Sequence, residues 1–158
     1  TAATGRARAN ALNLRFFIAG LLLALPYSAG ALEYRSTGRT ALLYDAPSTT
    51  ADKVAIAGSG LPLEVVVDAG DGWVKVRDHS GRLSWIEKSA LGGAKNVMIK
   101  AETSVIRQQP RADADVAFRA VRGVLLQISG DADAYGWLPV KHADGQAGWI
   151  PAHEVWGR

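Results

Sequence analysis

Gly72-Trp73-Val74-Lys75-Val76-Arg77, followed after a short polar turn by Gly81-Arg82-Leu83-Ser84-Trp85-Ile86, is the stretch on which the reading of this sequence turns. The pattern returns 64 positions later as Gly136-Trp137-Leu138-Pro139-Val140-Lys141 and Gly145-Gln146-Ala147-Gly148-Trp149-Ile150, with glycine, tryptophan and aliphatic positions in the same order. A self-match at a fixed period marks a duplicated structural unit. Within each copy the alternation is that of a strand. Val74 and Val76 face one way and Trp73, Lys75 and Arg77 the other, while Leu138 and Val140 oppose Trp137, Pro139 and Lys141. Asp78-His79-Ser80-Gly81 and Ala143-Asp144-Gly145 supply the residues of tight turns, so each copy reads as a hairpin that brings Trp73 towards Trp85 and Trp137 towards Trp149. Pro139 has no N–H for a ladder, which predicts an edge or bulged strand there.

Outward from the hairpins the strand pattern continues. Leu61 to Asp68 alternates, with Leu61, Leu63, Val65 and Val67 on one face, and its copy places Val124, Leu126 and Ile128 inward. Short apolar pairs precede each of these strands, Val54 and Ile56 in the first unit and Val116 and Phe118 in the second. Turn residues recur every 8 to 12 positions or so, the spacing of small all-β folds, and little in the pattern argues for a helix. Gly92-Gly93-Ala94-Lys95 reads as a linker, which divides the chain into residues 1–31, a first unit over 32–91, the linker 92–95 and a second unit over 96–158.

The first 31 residues read as an export signal outside the fold. Arg6, Arg8 and Arg15 precede the apolar run Phe16 to Leu25, and Ala29-Gly30-Ala31 has the small-residue pattern of a cleavage site. The run is shorter than the roughly 20 apolar residues of a membrane-spanning helix. The reading is therefore cleavage after Ala31, no stable membrane anchor afterwards, and a periplasmic or secreted protein; an uncleaved anchor is the rival. The same segment explains the net charge of +3, since it holds three of the eighteen Lys and Arg residues and none of the fifteen Asp and Glu. The remainder is balanced, so a cationic surface for nucleic acid is not expected. Cysteine is absent, which excludes disulfides, thiolate metal sites and a cysteine nucleophile. Units of about 60 residues bury only about 60% of their unfolded surface. Large side chains must compensate, and the five tryptophans do so.

With these residues in view, each unit resembles a bacterial SH3 domain, a small barrel with a Pro after the first strand, a Gly-Trp-x-x-Val strand and a Gly-x-x-Gly-Trp-aliphatic strand. The first unit carries Pro47, Gly72-Trp73 and Gly81 to Ile86, the second Pro110, Gly136-Trp137 and Gly145 to Ile150; Ser84 departs from the pattern where the second unit has Gly148. The resemblance implies an all-β chain of two tandem SH3-like small barrels. It also implies a non-catalytic binding module of the cell envelope, because such domains accompany cell-wall enzymes and are associated with peptidoglycan or its peptides. The units are similar to eukaryotic SH3 domains as well, but the aromatic residues with which those grip polyproline are missing: Gly72 and Gly136 stand in place of the first of two tryptophans, and Ala90 and Glu154 in place of a late tyrosine.

Candidate ligand contacts follow. Trp73 and Trp137 share their strand face with charged residues, and Tyr44 and Tyr135 are placed at the rim. Asp71 stands in the loop before Trp73, where a carboxylate could set a peptide's direction. The rival for Trp73 and Trp137 is packing between the units. Trp85 and Trp149 are expected to fill the core or to floor a groove, as bulky wedges in small units. Arg107, Arg111, Arg119 and Arg122 read as a solvated face beside Asp113 and Asp115. His79, His142 and His153 do not occupy matching places in the repeats, no metal-ligand spacing or catalytic constellation is visible, and no cofactor is implied. The partner is expected to be peptidoglycan or, in the alternative of a structural adaptor, another envelope protein.

Overall fold

The computed structural model describes residues 1–2 and 32–158; the segment read as an export signal, with Ala29 and Ala31, lies outside the described residues. Alternation of buried and exposed positions builds two antiparallel sheets. The first comprises β1 (Glu33–Ser36), β2 (Ala41–Tyr44), β3 (Lys53–Ala57), β4 (Pro62–Asp68), β5 (Trp73–Arg77) and β6 (Leu83–Glu87), in the order β1-β4-β5-β6-β2-β3. The second comprises β7 (Asn96–Ile99), β8 (Thr103–Arg107), β9 (Val116–Val121), β10 (Leu125–Ile128), β11 (Trp137–Lys141), β12 (Ala147–Pro151) and β13 (Val155–Trp156). Its order, β13-β7-β10-β11-β12-β8-β9, repeats the first with one strand added. The described chain is all-β, with only a short 3-10 turn after β6 and another after β12.

Each sheet wraps its own apolar core. Leu43, Leu63, Val74, Val76 and Ile86 fill the first, and Ile106, Leu126, Leu138, Val140 and Ile150 occupy the matching places in the second. Val124 and Ile128 pack against the second core as the alternation predicts. The expectation for β4 is corrected at its far end. Leu63 is buried, but a bulge between Val65 and Val67 inserts one residue, inverts the alternation and leaves Val67 47% exposed. On the other face, Glu64 is buried because Arg77 Nη1 reaches both carboxylate oxygens, at 2.9 and 3.2 Å.

The pair Val54 and Ile56 points outward, Ile56 being 70% exposed, because Ala55 and Ala57 are the inward residues of β3. One further expectation is corrected. Pro139 lies in neither an edge strand nor a bulge: β11 is central, paired on both sides. Its ladder with β10 ends at Ile128–Val140, and Pro139 then serves only as an acceptor, its carbonyl taking the Ser129 N–H at 3.0 Å. The missing donor thus falls where pairing has already stopped.

The barrels meet through residues that the repeat pattern does not single out. The Tyr34 and Trp156 rings pack edge to face at 5.2 Å. The Asn96 N–H donates to Ser36 Oγ at 2.9 Å, and Asn96 Nδ2 to the Gly60 carbonyl at 3.0 Å. Gly157 is buried against Pro62 so closely that a Cβ there would stand 2.5 Å from the proline Cβ. Burial, and then the Glu64 charge, push the Tyr34 hydroxyl above its usual range. The segment between the sheets is tied at both ends, the Gly92 N–H donating to the Ser36 carbonyl and the Lys95 carbonyl accepting the Ile128 N–H, each at 2.8 Å.

Candidate functional grooves

The same sheet geometry opens a groove at the same place on each barrel. In the first, Arg39, Leu42, Tyr44, Ile56 and Glu87 line about 310 Å³. Glu87 is the cross-strand partner of Trp73, and the Trp73 ring meets Tyr44 edge to face at 5.4 Å. Arg39 Nη2 stands 3.6 Å from Glu87 Oε2, an exposed pair across the mouth. Such pairs contribute little to stability, so both charges are available to a ligand.

In the second barrel, Val105, Arg107, Tyr135, Trp137, Pro151 and Glu154 are among the residues lining about 430 Å³. Trp137 pairs with Pro151 across the β11–β12 ladder, giving a flat apolar wall. Arg107 is half-buried, and its Nη1 donates to the Ala114 carbonyl at 2.8 Å. Both grooves are the size of small-ligand sites, with an apolar aromatic wall and a few polar groups.

The loops that aim the groove tryptophans are held by carboxylates. Asp71 Oδ1 accepts the Trp73 N–H at 3.2 Å; in the second barrel Asp133 Oδ1 accepts the Trp137 and Tyr135 N–H groups at 2.8 and 2.9 Å. Asp68 anchors the root of the first loop. The Lys88 ammonium at 2.7 Å, and then the Gly70 N–H, hold its carboxyl below the usual range. The hairpin turns use the same device. Burial raises the Asp78 carboxyl, but the Ser80 hydroxyl and the backbone N–H groups of Arg82 and Ser80 outweigh it and leave it lowered. Asp144 is lowered to about 2 by the Gln146 backbone N–H, then the Gln146 side chain and His142.

The structure brings together Tyr44 with Trp73, and Tyr135 with Trp137. Only Tyr44 departs from the expected rim position. Tyr44 is 7% exposed, a wall beneath Trp73 and not a rim residue, whereas Tyr135 is 89% exposed. Asp71 sits at the exposed loop tip with one oxygen committed to the Trp73 amide. Trp85 and Trp149 do not fill the barrels: Ser84 and Ile86, and then Ile150, are the inward residues of β6 and β12, so alternation turns both tryptophans out. Trp85 lies opposite Lys75, whose Nζ is 5.9 Å from its ring centroid, and Trp149 lies opposite Pro139; both are half-buried on the outer face.

Arg107 is the residue that sequence reasoning misplaced. Arg111, Arg119 and Arg122 are exposed as expected, but Arg107 sits in the second groove because it is the β8 residue paired with Trp149. Its place next to the inward Ile106, and so on the opposite face of β8, is the signal the sequence carries. His153 also lines this groove, while His79 and His142 lie in the hairpin turns. Among the described residues no cluster of three His, Cys, Asp or Glu side chains could hold a metal ion.

Paired sheets of this order, each with a shallow aromatic groove between loops, define a small-barrel binding domain in two copies. The chain belongs to the bacterial SH3 domain family, whose profile matches residues 37–93 and again 100–157. No curated protein matches it. Among solved structures it is similar to NlpC1 from Trichomonas vaginalis, at 14% identity and a TM-score of 0.37 over 87% of this chain and 50% of that one. It is also similar to NlpC2 from the same organism, at 13% identity and a TM-score of 0.37 over 81% of this chain and 49% of that one. The chain spans about half the length of these structures.

Proposed function

We propose that this protein is an exported, non-catalytic binding module of the cell envelope that recognises peptidoglycan, or a peptide of similar chemistry, through its two grooves. The observation that carries the reading is the repetition of the groove: Thr40, Leu42, Tyr44 and Glu87 on one barrel correspond to Thr103, Val105, Arg107 and Pro151 on the other. Aromatic and aliphatic walls supply contact area, and the charged groups at each mouth set direction. Two sites on one chain raise the avidity for a repeating polymer when both engage it. The export pattern of the first 31 residues would place the chain beside that polymer, in the periplasm or outside the cell.

The test is co-sedimentation of the protein with washed peptidoglycan, beside a Trp73→Ala, Trp137→Ala double variant whose fold is checked by circular dichroism. Salt-resistant sedimentation that the variant loses supports the reading. If the wild type stays in solution the wall ligand is wrong, and if wall fragments are released the protein is an enzyme. A second reading, an adaptor for another envelope protein, is favoured by the exposed strip of Leu42, Val54 and Ile56 beside the first groove. It predicts capture of an envelope protein that Val54→Asp, outside the groove lining, abolishes.

A further inference from the structure

A smaller cavity, of about 250 Å³, lies away from both grooves at the junction of the barrels, where His79 of the β5–β6 turn faces Met98, Ile99, Lys100, Arg122 and Trp156 of the second barrel. Its base is apolar: Met98 and Ile99 are buried and Trp156 half-buried. Around that base stand a lysine, an arginine and a histidine, and no carboxylate lines it among the described residues. Lys100 is exposed and has no ion-pair partner among the described residues. The Arg122 guanidinium meets Glu102 at 2.7 Å, but both side chains are largely in solvent, so that pair exchanges readily with another anion. The half-buried Trp156 ring also lines the cavity, so an apolar group bound there would meet an aromatic side chain.

We propose that this cavity is a binding site for a small anion carried on a single apolar ring, distinct from the groove ligand. The anionic head lies between Lys100 and Arg122, and the ring rests on Met98 and Trp156. An apolar floor with convergent like-charged groups at its rim selects for an amphiphilic anion over either a bare ion or a neutral ring. The volume limits the apolar part to about one ring. Because His79 belongs to the first barrel and the other groups to the second, the bound ligand touches both.

The experiment is a titration of the 15N-labelled protein, following the indole N–H resonance of Trp156 as assigned from its loss in Trp156→Phe. The probes are phenyl phosphate, phenylacetate, inorganic phosphate and benzyl alcohol. At least one aromatic anion is expected to shift the resonance saturably and to bind more tightly than either inorganic phosphate or benzyl alcohol; whichever of the two binds better identifies the head group as phosphate or carboxylate. Added salt should weaken binding in the unaltered protein. A Lys100→Ala, Arg122→Ala variant, with its other indole resonances in place, should bind about tenfold more weakly. No shift with either aromatic anion, equal affinity for benzyl alcohol or for inorganic phosphate, or unchanged affinity in the double variant would each overturn the proposal.

Discussion

Arg107 of the second barrel stands where Tyr44 stands in the first: each is the ladder partner of its barrel's second tryptophan, Trp149 and Trp85 respectively. One groove therefore has a phenol in its wall and the other a guanidinium. The two sites share a frame and differ in chemistry, so they need not take the same part of a ligand.

Tyr44 acts chiefly through packing, since it is buried edge-on against Trp73. Tyr44→Ala is expected to cost about 3 kcal/mol in urea unfolding, in the range of large aromatic truncations, and Tyr44→Phe to keep most of the stability. Arg107→Ala loses one charged hydrogen bond to the Ala114 carbonyl and is expected to cost less, about 1–2 kcal/mol. Both variants should weaken groove binding, each in its own barrel only.

Gly148 and Ser84 occupy equivalent strand positions but are not interchangeable. A Cβ on Gly148 would stand 2.5 Å from the Arg107 carbonyl oxygen and 2.6 Å from Ile106 Cγ2, so β12 and β8 approach only because the side chain is missing. Gly148→Ala is expected to cost about 2–3 kcal/mol by overpacking. In the first barrel the Ser84 hydroxyl is buried without a partner, so Ser84→Ala should be neutral or stabilising. Denaturant midpoints of the two single variants decide the matter.

The lowered carboxyl of Asp144 makes a pH prediction. Its folded value of about 2 lies below the ordinary 3.8, so the charge stabilises the fold above about pH 4, and that contribution is lost as pH falls towards 2. Asp144→Asn keeps an acceptor for the Gln146 N–H but not the charge. The melting temperature of the wild type should exceed that of the variant at pH 5, and the gap should close by pH 2.

Gly157 couples the barrels. It has φ of +106°, a left-handed conformation that glycine tolerates, and lies against Pro62. Gly157→Ala should push the C-terminal end off the first barrel and loosen the Tyr34–Trp156 contact. Fluorescence and far-UV circular dichroism should report one coincident unfolding transition in the wild type and separate transitions in the variant. Coincident transitions in both would show that this contact does not couple the barrels.

The repeat, the all-β class and the strand alternation are legible in the chain itself, because period-two patterning and turn residues are local properties. Val74, Val76, Leu138 and Val140 point where their spacing says. Trp73 and Trp137 are likewise found by the repeat; Trp137 lines the second groove, and Trp73 packs on Tyr44, which lines the first. Three kinds of information were decided only by the tertiary structure. The bulge in β4 turned Val67 outward, since an inserted residue depends on how two strands register and not on either alone. Size misled for Trp85 and Trp149: a bulky apolar side chain suggests a core, but the parity of its strand determines its face, and Ile86 and Ile150 already held the inner one. Arg107, Trp156 and Gly157 acquired their roles from neighbours far away in sequence, on the facing strand or the other barrel. Such contacts leave no periodic trace, because the chain encodes them as shape at a distance.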